Sequence, residues 1–268
     1  MGLDRDIQGI KEVAYGKLNL FLEVLGRRGD GYHEIISIMT TISLYDELYF
    51  EEGNGIEVFG DIKGENNSIY RTAVFLREKL GIKKGARIRV KKGIPAGLGL
   101  GGHSSDEVAT LRGLSELWDV DFDIYETAKS LSSDAPFFAF GGTCLVEGRG
   151  DKITPLPKID AEFLIINPKI KVPQDKTAMM YRKLKRYTDG SITRKALRYI
   201  KEGKLPEEFF NSFEELALEI FPGLKEVREE LERKGVRTYL SGSGPCLFAP
   251  YKEGMEGIWE GAVKVRTI

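Results

Sequence analysis

The chain has 268 residues, 41% of them hydrophobic, and its 40 Lys and Arg residues almost balance its 41 Asp and Glu residues, giving a formal net charge of −1. Such a length and hydrophobic content predict folded domains with real cores rather than a disordered chain. The balanced charge gives no electrostatic case for nucleic acid as the main partner.

No apolar run is long enough to span a bilayer, and the polar start MGLDRDIQGIKEV lacks the apolar core of a signal peptide. Cys144 and Cys246 lie far apart and match neither a zinc site nor a disulfide framework. We therefore expect a cytoplasmic protein with reduced thiols and no membrane partner.

The first part of the chain predicts strands and turns followed by a helix. GKLNLFLEVLG alternates apolar and polar residues, RRGDGYHE is rich in turn residues, and IISIMTTISLYDELYF is a β-branched run. NNSIYRTAVFLREKLG predicts a helix with Ser68 as its N-cap and Gly81 at its end. ARIRVKKGIP predicts a strand that leads into a glycine loop, and SSDEVATLRGLSELW predicts the helix after that loop.

The second part predicts a helix near IYETAKSLSS, a turn and strand in DAPFFAFGGTCLVEGRGD, and core positions for Phe137, Phe138 and Phe140. Proline-punctuated strands follow, then a mostly helical stretch to about Lys234, a strand with an internal glycine turn in RTYLSGSGPCLFAP, and a short tail. The change of composition near Thr154 predicts two domains of mixed helix and strand, residues 1–153 and 154–268.

The glycine loop is the most informative segment, because glycine is used so densely only where a backbone must turn sharply or be approached closely. A strand, a glycine-rich turn and a helix N-terminus together form an anion site. We therefore predict a polyphosphate site, with Ser104 and Ser105 capping the helix or donating to a phosphate. Its residues are Pro95, Gly97, Leu98, Gly99, Gly101, Gly102, Ser104 and Ser105.

The spelling of the loop excludes a P-loop, because His103 stands where that motif needs lysine. The letters GLGLGG also match the dinucleotide fingerprint, but the strand before them ends in KKGIP instead of running into the turn. The alternative is that the glycines serve only a tight connection between a strand and a helix.

PAGLGLGGHSSDEV and LSGSGPCLFA resemble the phosphate loop and the late glycine motif of the small-molecule kinases that include galactokinase, homoserine kinase, mevalonate kinase and phosphomevalonate kinase. Within this superfamily, AYGKLNLFLEVLGRRGDGYHEIISIM is most similar to the kinases that act on 4-diphosphocytidyl-2-C-methyl-D-erythritol, and the similarity runs from Val13 to Ala249. Departures from the family pattern are Tyr15, Gly16, His103 in place of a third glycine, SSDAPFF, and Ser212 after Asn211.

The resemblance implies an α+β fold with an N-terminal ribosomal-protein-like domain and a C-terminal ferredoxin-like domain. It also implies transfer of the γ-phosphate of ATP, with Mg²⁺, to the 2-hydroxyl of a small acceptor that carries a cytidine diphosphate group. Lys17 and Asp134 would be the catalytic residues, although a strand lysine usually faces solvent and an Asp after two serines usually caps a turn.

The resemblance also assigns the residues that bind the acceptor. Tyr32 would stack on cytosine and His33 would read its polar edge, whereas a lone His after a glycine turn is more often a surface residue. Asn19, Thr177 and Gly242 would orient the reactive end. Two alternatives remain open, namely a sister kinase for homoserine or mevalonate and an RNA-binding module, and the sequence fixes neither metal ligands nor oligomeric state.

Overall fold

The computed structural model describes residues 9–173 and 175–268. The strands are β1 (Ile10–Arg27), β2 (His33–Gly53), β3 (Ile56–Gly60), β4 (Gly85–Lys91), β5 (Thr143–Gly148), β6 (Lys152–Pro155), β7 (Glu162–Ile166), β8 (Phe210–Asn211), β9 (Tyr239–Leu240), β10 (Leu247–Pro250) and β11 (Val263–Arg266). The helices are α1 (Ser68–Lys79), α2 (Gly102–Trp118), α3 (Ile124–Ala128), α4 (Ala135–Phe140), α5 (Lys176–Lys183), α6 (Ser191–Lys201), α7 (Glu214–Ile220) and α8 (Leu224–Arg233). The predicted α+β class is confirmed.

The chain divides into two compact units, each built from three separate segments. Unit 1 comprises the described residues up to Gly16, Leu44–Pro95 and Gly102–Ala139, and unit 2 comprises Lys17–Ser43, Ala96–Gly101 and Phe140–Ile268. Thr154, where the sequence predicts a domain boundary, lies within unit 2, and that boundary stays a prediction.

Unit 1 packs helices α1 and α2 with strands β3 and β4 and the last part of β2. Strand β3 runs parallel to β4, and β4 is antiparallel to the last residues of β2, from Glu47 to Gly53. Helix α1 begins at Ser68, but its N-cap is Asn67, whose side chain accepts a hydrogen bond from the backbone of Tyr70, so the predicted cap was one residue too late.

Unit 2 contains an antiparallel sheet in the order β11-β7-β10-β9. One apolar cluster joins β7 and β10 of this sheet to α5, α7 and α8, with Phe213 and Leu231 fully buried in it. The segment expected as a short tail contributes β11, which pairs with β7 along its whole length. The first part of β2 also belongs to unit 2, where Ile35–Thr40 pairs with β5.

Ala135–Phe140, at the start of the segment predicted as a turn and strand, forms the helix α4. Pro136 is compatible with this helix, because proline is tolerated in the first helical turn, where its missing N–H has no partner to lose. Phe137 and Phe138 are buried as predicted, whereas Phe140 is 47% exposed. Successive helical residues are about 100° apart, so Phe140 faces nearly opposite to Phe138.

None of the described helices combines the length and the apolar character that crossing a bilayer requires. Both cysteines are free and buried. Burial raises the pKa of the Cys144 thiol to about 11 and that of the Cys246 thiol to about 12.

Gly113, in the middle of α2, gives the first testable prediction. A Cβ at this position would lie 2.3 Å from Cε2 of Phe50, whose ring is fully buried. Although alanine favours helix, we expect Gly113→Ala to lower the free energy of unfolding by about 1–3 kcal/mol through overpacking. Urea denaturation measures it, with exposed Glu116→Ala as the control.

The same measurement on Gly113→Ala combined with Phe50→Leu separates the clash from a general loss of packing. We expect the pair to lose less stability than the sum of the two single changes, because the smaller side chain makes room for the added methyl group. If the loss in the double variant equals the sum of the two single losses, the proposed clash between the added methyl group and the Phe50 ring is contradicted.

Candidate active site

The glycine loop has the backbone that a phosphate cradle needs. Gly97, Gly99 and Gly101 have φ of +75°, +79° and +75°. Leu98 and Leu100 are buried and anchor the loop, while Pro95 and Gly97 are exposed. The loop leads directly into Gly102, the first residue of the 17-residue helix α2. Unpaired amides at such a helix start suit the negative charge of a phosphate.

Ser104 and Ser105 lie inside the first turn of α2 and are buried, so neither is the predicted N-cap. The helix begins two residues earlier than expected, because Gly102 and His103 already adopt helical geometry. The Oγ atom of Ser104 is hydrogen-bonded to that of Ser132 at 2.7 Å.

Within unit 2 the loop packs against the late glycine turn of residues 241–244. A Cβ on Gly99 would lie 2.5 Å from the carbonyl oxygen of Ser241, and a Cβ on Gly242 would lie 2.9 Å from the carbonyl oxygen of Gly99. Ser241 Oγ also donates to the Gly99 carbonyl at 3.4 Å. Both glycines have positive φ, so any side chain here would add backbone strain to a steric clash. Gly244 packs instead against Leu240.

Lys17 is 3% exposed, which overturns the alternative of an ordinary solvent-facing strand lysine. Its backbone N–H donates to the carbonyl of Leu100 in the loop at 2.9 Å, and its Nζ donates to Oδ1 of Asn19. Lys17 and Asn19 are two residues apart on a strand and therefore share a face. Asn19 Nδ2 in turn donates to Ser37 Oγ at 2.9 Å. A Cβ on Gly242 would lie 3.0 Å from Lys17 Nζ, so the lysine reaches the glycine turn.

A second buried lysine, Lys176, reaches the same turn and was missed from the sequence. It opens α5, is 5% exposed, and its Nζ donates to the carbonyl of Gly244. Burial, followed by repulsion from Lys17, lowers its pKa to about 8. Next to it, Thr177 Oγ1 is 2.9 Å from Ser243 Oγ, so the predicted substrate-side threonine also contacts the turn.

Asp134 lies in unit 1, immediately before α4, in a turn that a serine ties to α2. Ser132 donates from its backbone N–H to Glu107 Oε2 at 3.2 Å and from its hydroxyl to the same carboxylate. His103 Nε2 lies 3.6 Å from Glu107 Oε1. His103 and the serine pair before Asp134 both depart from the family pattern, and the structure brings these departures together through Glu107.

A buried group of charges in unit 1 holds the segment that connects β4 to the glycine loop. Asp46 Oδ1 accepts from the backbone N–H groups of Gly93 and Ile94 at 2.7 and 2.8 Å. Lys92 Nζ donates to Asp46 and, at 2.7 Å, to Asp106 in the second turn of α2. Burial, opposed by Lys92 and assisted by Asp46, raises the pKa of Asp106 to about 7. The Lys92 ammonium thus forms ion pairs with two buried carboxyl groups.

Tyr32 and His33 form a separate surface in unit 2. The turn before them is closed by Arg28, whose backbone N–H donates to the Tyr32 carbonyl at 2.8 Å. Tyr32 is 48% exposed, with the Arg149 guanidinium 5.1 Å from its ring centroid. The His33 ring lies 4.9 Å from that of Tyr181. Burial, and then the charge of Arg27, lowers the pKa of His33 and favours its neutral form.

Helix α5 connects this surface with the glycine turn. Thr177 contacts Ser243, and Tyr181, four residues later, packs on His33. Residues four apart lie on the same helix face, separated by about one turn, or about 5.4 Å along the axis. One helix face therefore carries contacts both to the pair expected to bind cytosine and to the turn next to Lys17.

Two sequence families match the chain, described as the GHMP kinases N terminal domain over residues 67–142 and the GHMP kinases C terminal over residues 196–258. A 4-diphosphocytidyl-2-C-methyl-D-erythritol kinase from Dehalococcoides mccartyi is 38% identical, covering 90% of this chain and 89% of the relative. The chain belongs to the GHMP kinase family. A kinase of the same name from Listeria monocytogenes is 35% identical over 96% of each chain.

Solved structures of this family have the same fold. The crystal structure of a 4-(cytidine 5'-diphospho)-2C-methyl-D-erythritol kinase matches with a TM-score of 0.83 and 31% identity, covering 96% of this chain and 99% of that one. Mevalonate kinase from Methanococcus jannaschii matches with a TM-score of 0.70 at 17% identity, covering 98% and 99%, which shows a shared fold only. The resemblance found in the sequence and the expected two-domain kinase fold are confirmed.

The Lys92 group of charges gives a prediction about stability. We expect Lys92→Met to lower the free energy of unfolding by about 3–5 kcal/mol at pH 7, because two buried carboxyl groups lose their cation. The loss should shrink as the pH falls, since protonation then relieves the repulsion in the folded state. Denaturant titrations at pH 5 and pH 7 measure both effects.

Two further variants serve as comparisons. Lys91→Met removes a neighbouring exposed lysine that pairs with Glu47 at 3.2 Å and should cost at most about 1 kcal/mol. Lys92→Met combined with Asp106→Asn should recover part of the loss. Equal losses for Lys91→Met and Lys92→Met would show that the buried charges do not support the fold.

Proposed function

We propose that this chain is an ATP-dependent kinase that phosphorylates the 2-hydroxyl of 4-diphosphocytidyl-2-C-methyl-D-erythritol, a step of non-mevalonate isoprenoid synthesis. The observation that carries the proposal is the single face of α5, which contacts His33 through Tyr181 and the glycine turn through Thr177. An acceptor with a cytosine at one end and a reactive alcohol at the other fits such an arrangement. Neither homoserine nor mevalonate carries a base for Tyr32 and His33.

The nucleotide site in this proposal is the glycine loop and the first turn of α2. The positive φ of its glycines and the clash that a Cβ on Gly99 would create indicate a backbone used for close approach. ATP would place its phosphates along these amides, with Ser104 and Ser105 as nearby hydroxyls. Backbone donors suit a polyphosphate whatever its base, so the loop supports phosphate binding and not base recognition.

Mg²⁺ would accompany the nucleotide, because magnesium neutralises phosphate oxygens and is usually held by one or two carboxylates together with those oxygens. In the described part of the chain no cluster of three His, Cys, Asp or Glu side chains could hold a metal. The phosphate oxygens of the nucleotide would supply most of its ligands.

The transfer forms a bond from the acceptor oxygen to the γ-phosphorus and breaks the bond from that phosphorus to the β,γ-bridging oxygen, which leaves with ADP. We propose that the Asp134 carboxylate takes the hydroxyl proton. The Lys17 ammonium would offset negative charge on the transferred group, and Asn19, which is bonded to Lys17, would orient the hydroxyl. The cytoplasmic location expected from the sequence is part of the same proposal.

ADP release in a coupled assay tests the reaction. We expect turnover with the cytidine diphosphate acceptor and none with mevalonate or homoserine. Lys17→Met and Asp134→Asn should each lower kcat at least about 100-fold, because each removes charge or proton acceptance at the reacting atoms. The exposed substitutions Lys185→Met and Asp160→Asn are matched controls. Turnover of mevalonate alone would refute the proposed acceptor, and salt-sensitive RNA binding without turnover would refute the enzyme.

Steady-state kinetics of His33→Ala test base recognition. We expect KM for the acceptor to rise about 10- to 100-fold with KM for ATP unchanged, since a lost hydrogen bond to a base edge costs about 1–3 kcal/mol. Because the pKa of His33 lies below its usual value of 6.5, the wild-type KM for the acceptor should be constant above that pH and rise below it. An equal rise in both KM values would contradict the role of His33.

A further inference from the structure

Lys176 is a buried cation. In residues 9–173 and 175–268 its Nζ has one hydrogen-bond acceptor, the carbonyl of Gly244, and it forms no ion pair. An ammonium group carries three N–H donors, so two of them are available to another acceptor. Burying a charge in this way is unfavourable unless something compensates it.

Of the described groups, Asp175 next to Lys176 in the chain and Cys246, which interacts with it, do not supply a negative charge. Asp175, next in the chain, pairs with Arg182 at 2.8 Å on the exposed side of α5. The Cys246 thiol is buried, and its pKa of about 12 keeps it neutral at physiological pH. The other charge that acts on Lys176 is positive, that of Lys17.

The two lysines converge on one turn from two different elements. Lys17, on β1, reaches the position of Gly242, and Lys176, at the start of α5, bonds to Gly244. Burial and the charge of Lys17 both disfavour the charged form of Lys176, and an anion bound to its ammonium would offset both effects. The arrangement therefore has the charge pattern of an anion site that is completed by its ligand.

We propose that Lys176 is a phosphate-binding residue, whose ammonium donates to an oxygen of a phosphate group held together with Lys17 at the glycine turn of residues 241–244. The inference rests on the proposed kinase function and adds a second cation to it. The phosphate has two possible sources in that reaction, the γ-phosphate of ATP and the diphosphate of the acceptor.

Proton uptake on ligand binding tests the proposal without any turnover. Because the pKa of Lys176 is lowered to about 8, part of the population is neutral at pH 8, and a bound phosphate would favour the protonated form. Calorimetric titrations at pH 8, in buffers of different ionisation enthalpy, would measure the uptake of less than one proton from the buffer by the wild type. The probes are cytidine diphosphate and the magnesium complex of a non-hydrolysable ATP analogue.

The probe that causes the uptake identifies the source of the phosphate, and Lys176→Met should abolish it. Lys183→Met, which removes an exposed lysine at the other end of the same helix, should leave it unchanged. Uptake that is equal in the wild type and in Lys176→Met, or absent with both probes, would overturn the proposal.

Kinetics provide the second readout. We expect Lys176→Met to lower kcat/KM at least about 30-fold, and Lys176→Arg to recover most of it because the positive charge remains. A fall in kcat would indicate that Lys176 binds the γ-phosphate of ATP. A rise in KM for the acceptor alone would indicate that it binds the diphosphate of the acceptor. Rates for Lys176→Met within twofold of the wild type would refute the inference.

Two controls separate the possible failures. If the wild type phosphorylates none of the acceptors, the proposed function fails, while the titrations still decide whether Lys176 binds phosphate. Because Lys176→Met removes a buried charge, its urea midpoint at pH 7 should equal or exceed that of the wild type. The difference should shrink as the pH rises above about 8 and disappear above 10.5, the ordinary pKa of lysine in the unfolded chain. A lower midpoint at pH 7 would show that the charge is already compensated in the free protein and would overturn the proposal.

Discussion

The close approach of two backbones, at Gly99 in the glycine loop and at Ser241 and Gly242 in the late glycine turn, is the constraint on which the rest of unit 2 depends. There is no room for a Cβ at either glycine. The loop is fixed on its other side by the hydrogen bond from the Lys17 backbone to Leu100. The two backbones can approach this closely because glycine has no Cβ, which explains why both segments are rich in glycine.

The strands and the long helices follow from local pattern, because alternation and helical periodicity report which face is buried. The misplaced elements are those for which local signals conflict. The segment around Pro136 was predicted as a turn, although Pro136 is the second residue of α4. The end of the chain was predicted as a short tail, although it contains β11, which is stabilised by pairing with β7. Phe140 was assigned to the core by composition, although the direction of its side chain depends on the helix it stands in.

The residues of the proposed site could be predicted to different degrees. Gly97, Gly99 and the serines were predicted from the chemistry of phosphate binding, whereas Lys17 and His33 could be singled out only through the resemblance to a family. Lys176 could not be found at all, since a lysine in a polar segment gives no sign of burial. Its environment is created by Gly244, 68 residues away in the sequence. Long-range contacts of this kind carry no local signature.

The contacts among His103, Glu107 and Ser132 limit how freely the loop can be exchanged between related proteins. His103 and Ser132 both contact the Glu107 carboxylate, and Ser132 lies two residues before Asp134. Residues in one network are not independent in their effects. A loop transplanted from a relative with glycine in place of His103 would therefore leave Glu107 and Ser132 in a setting that was shaped for a different neighbour. In a chimaeric protein, positions 103, 107 and 132 should therefore be exchanged together or all kept.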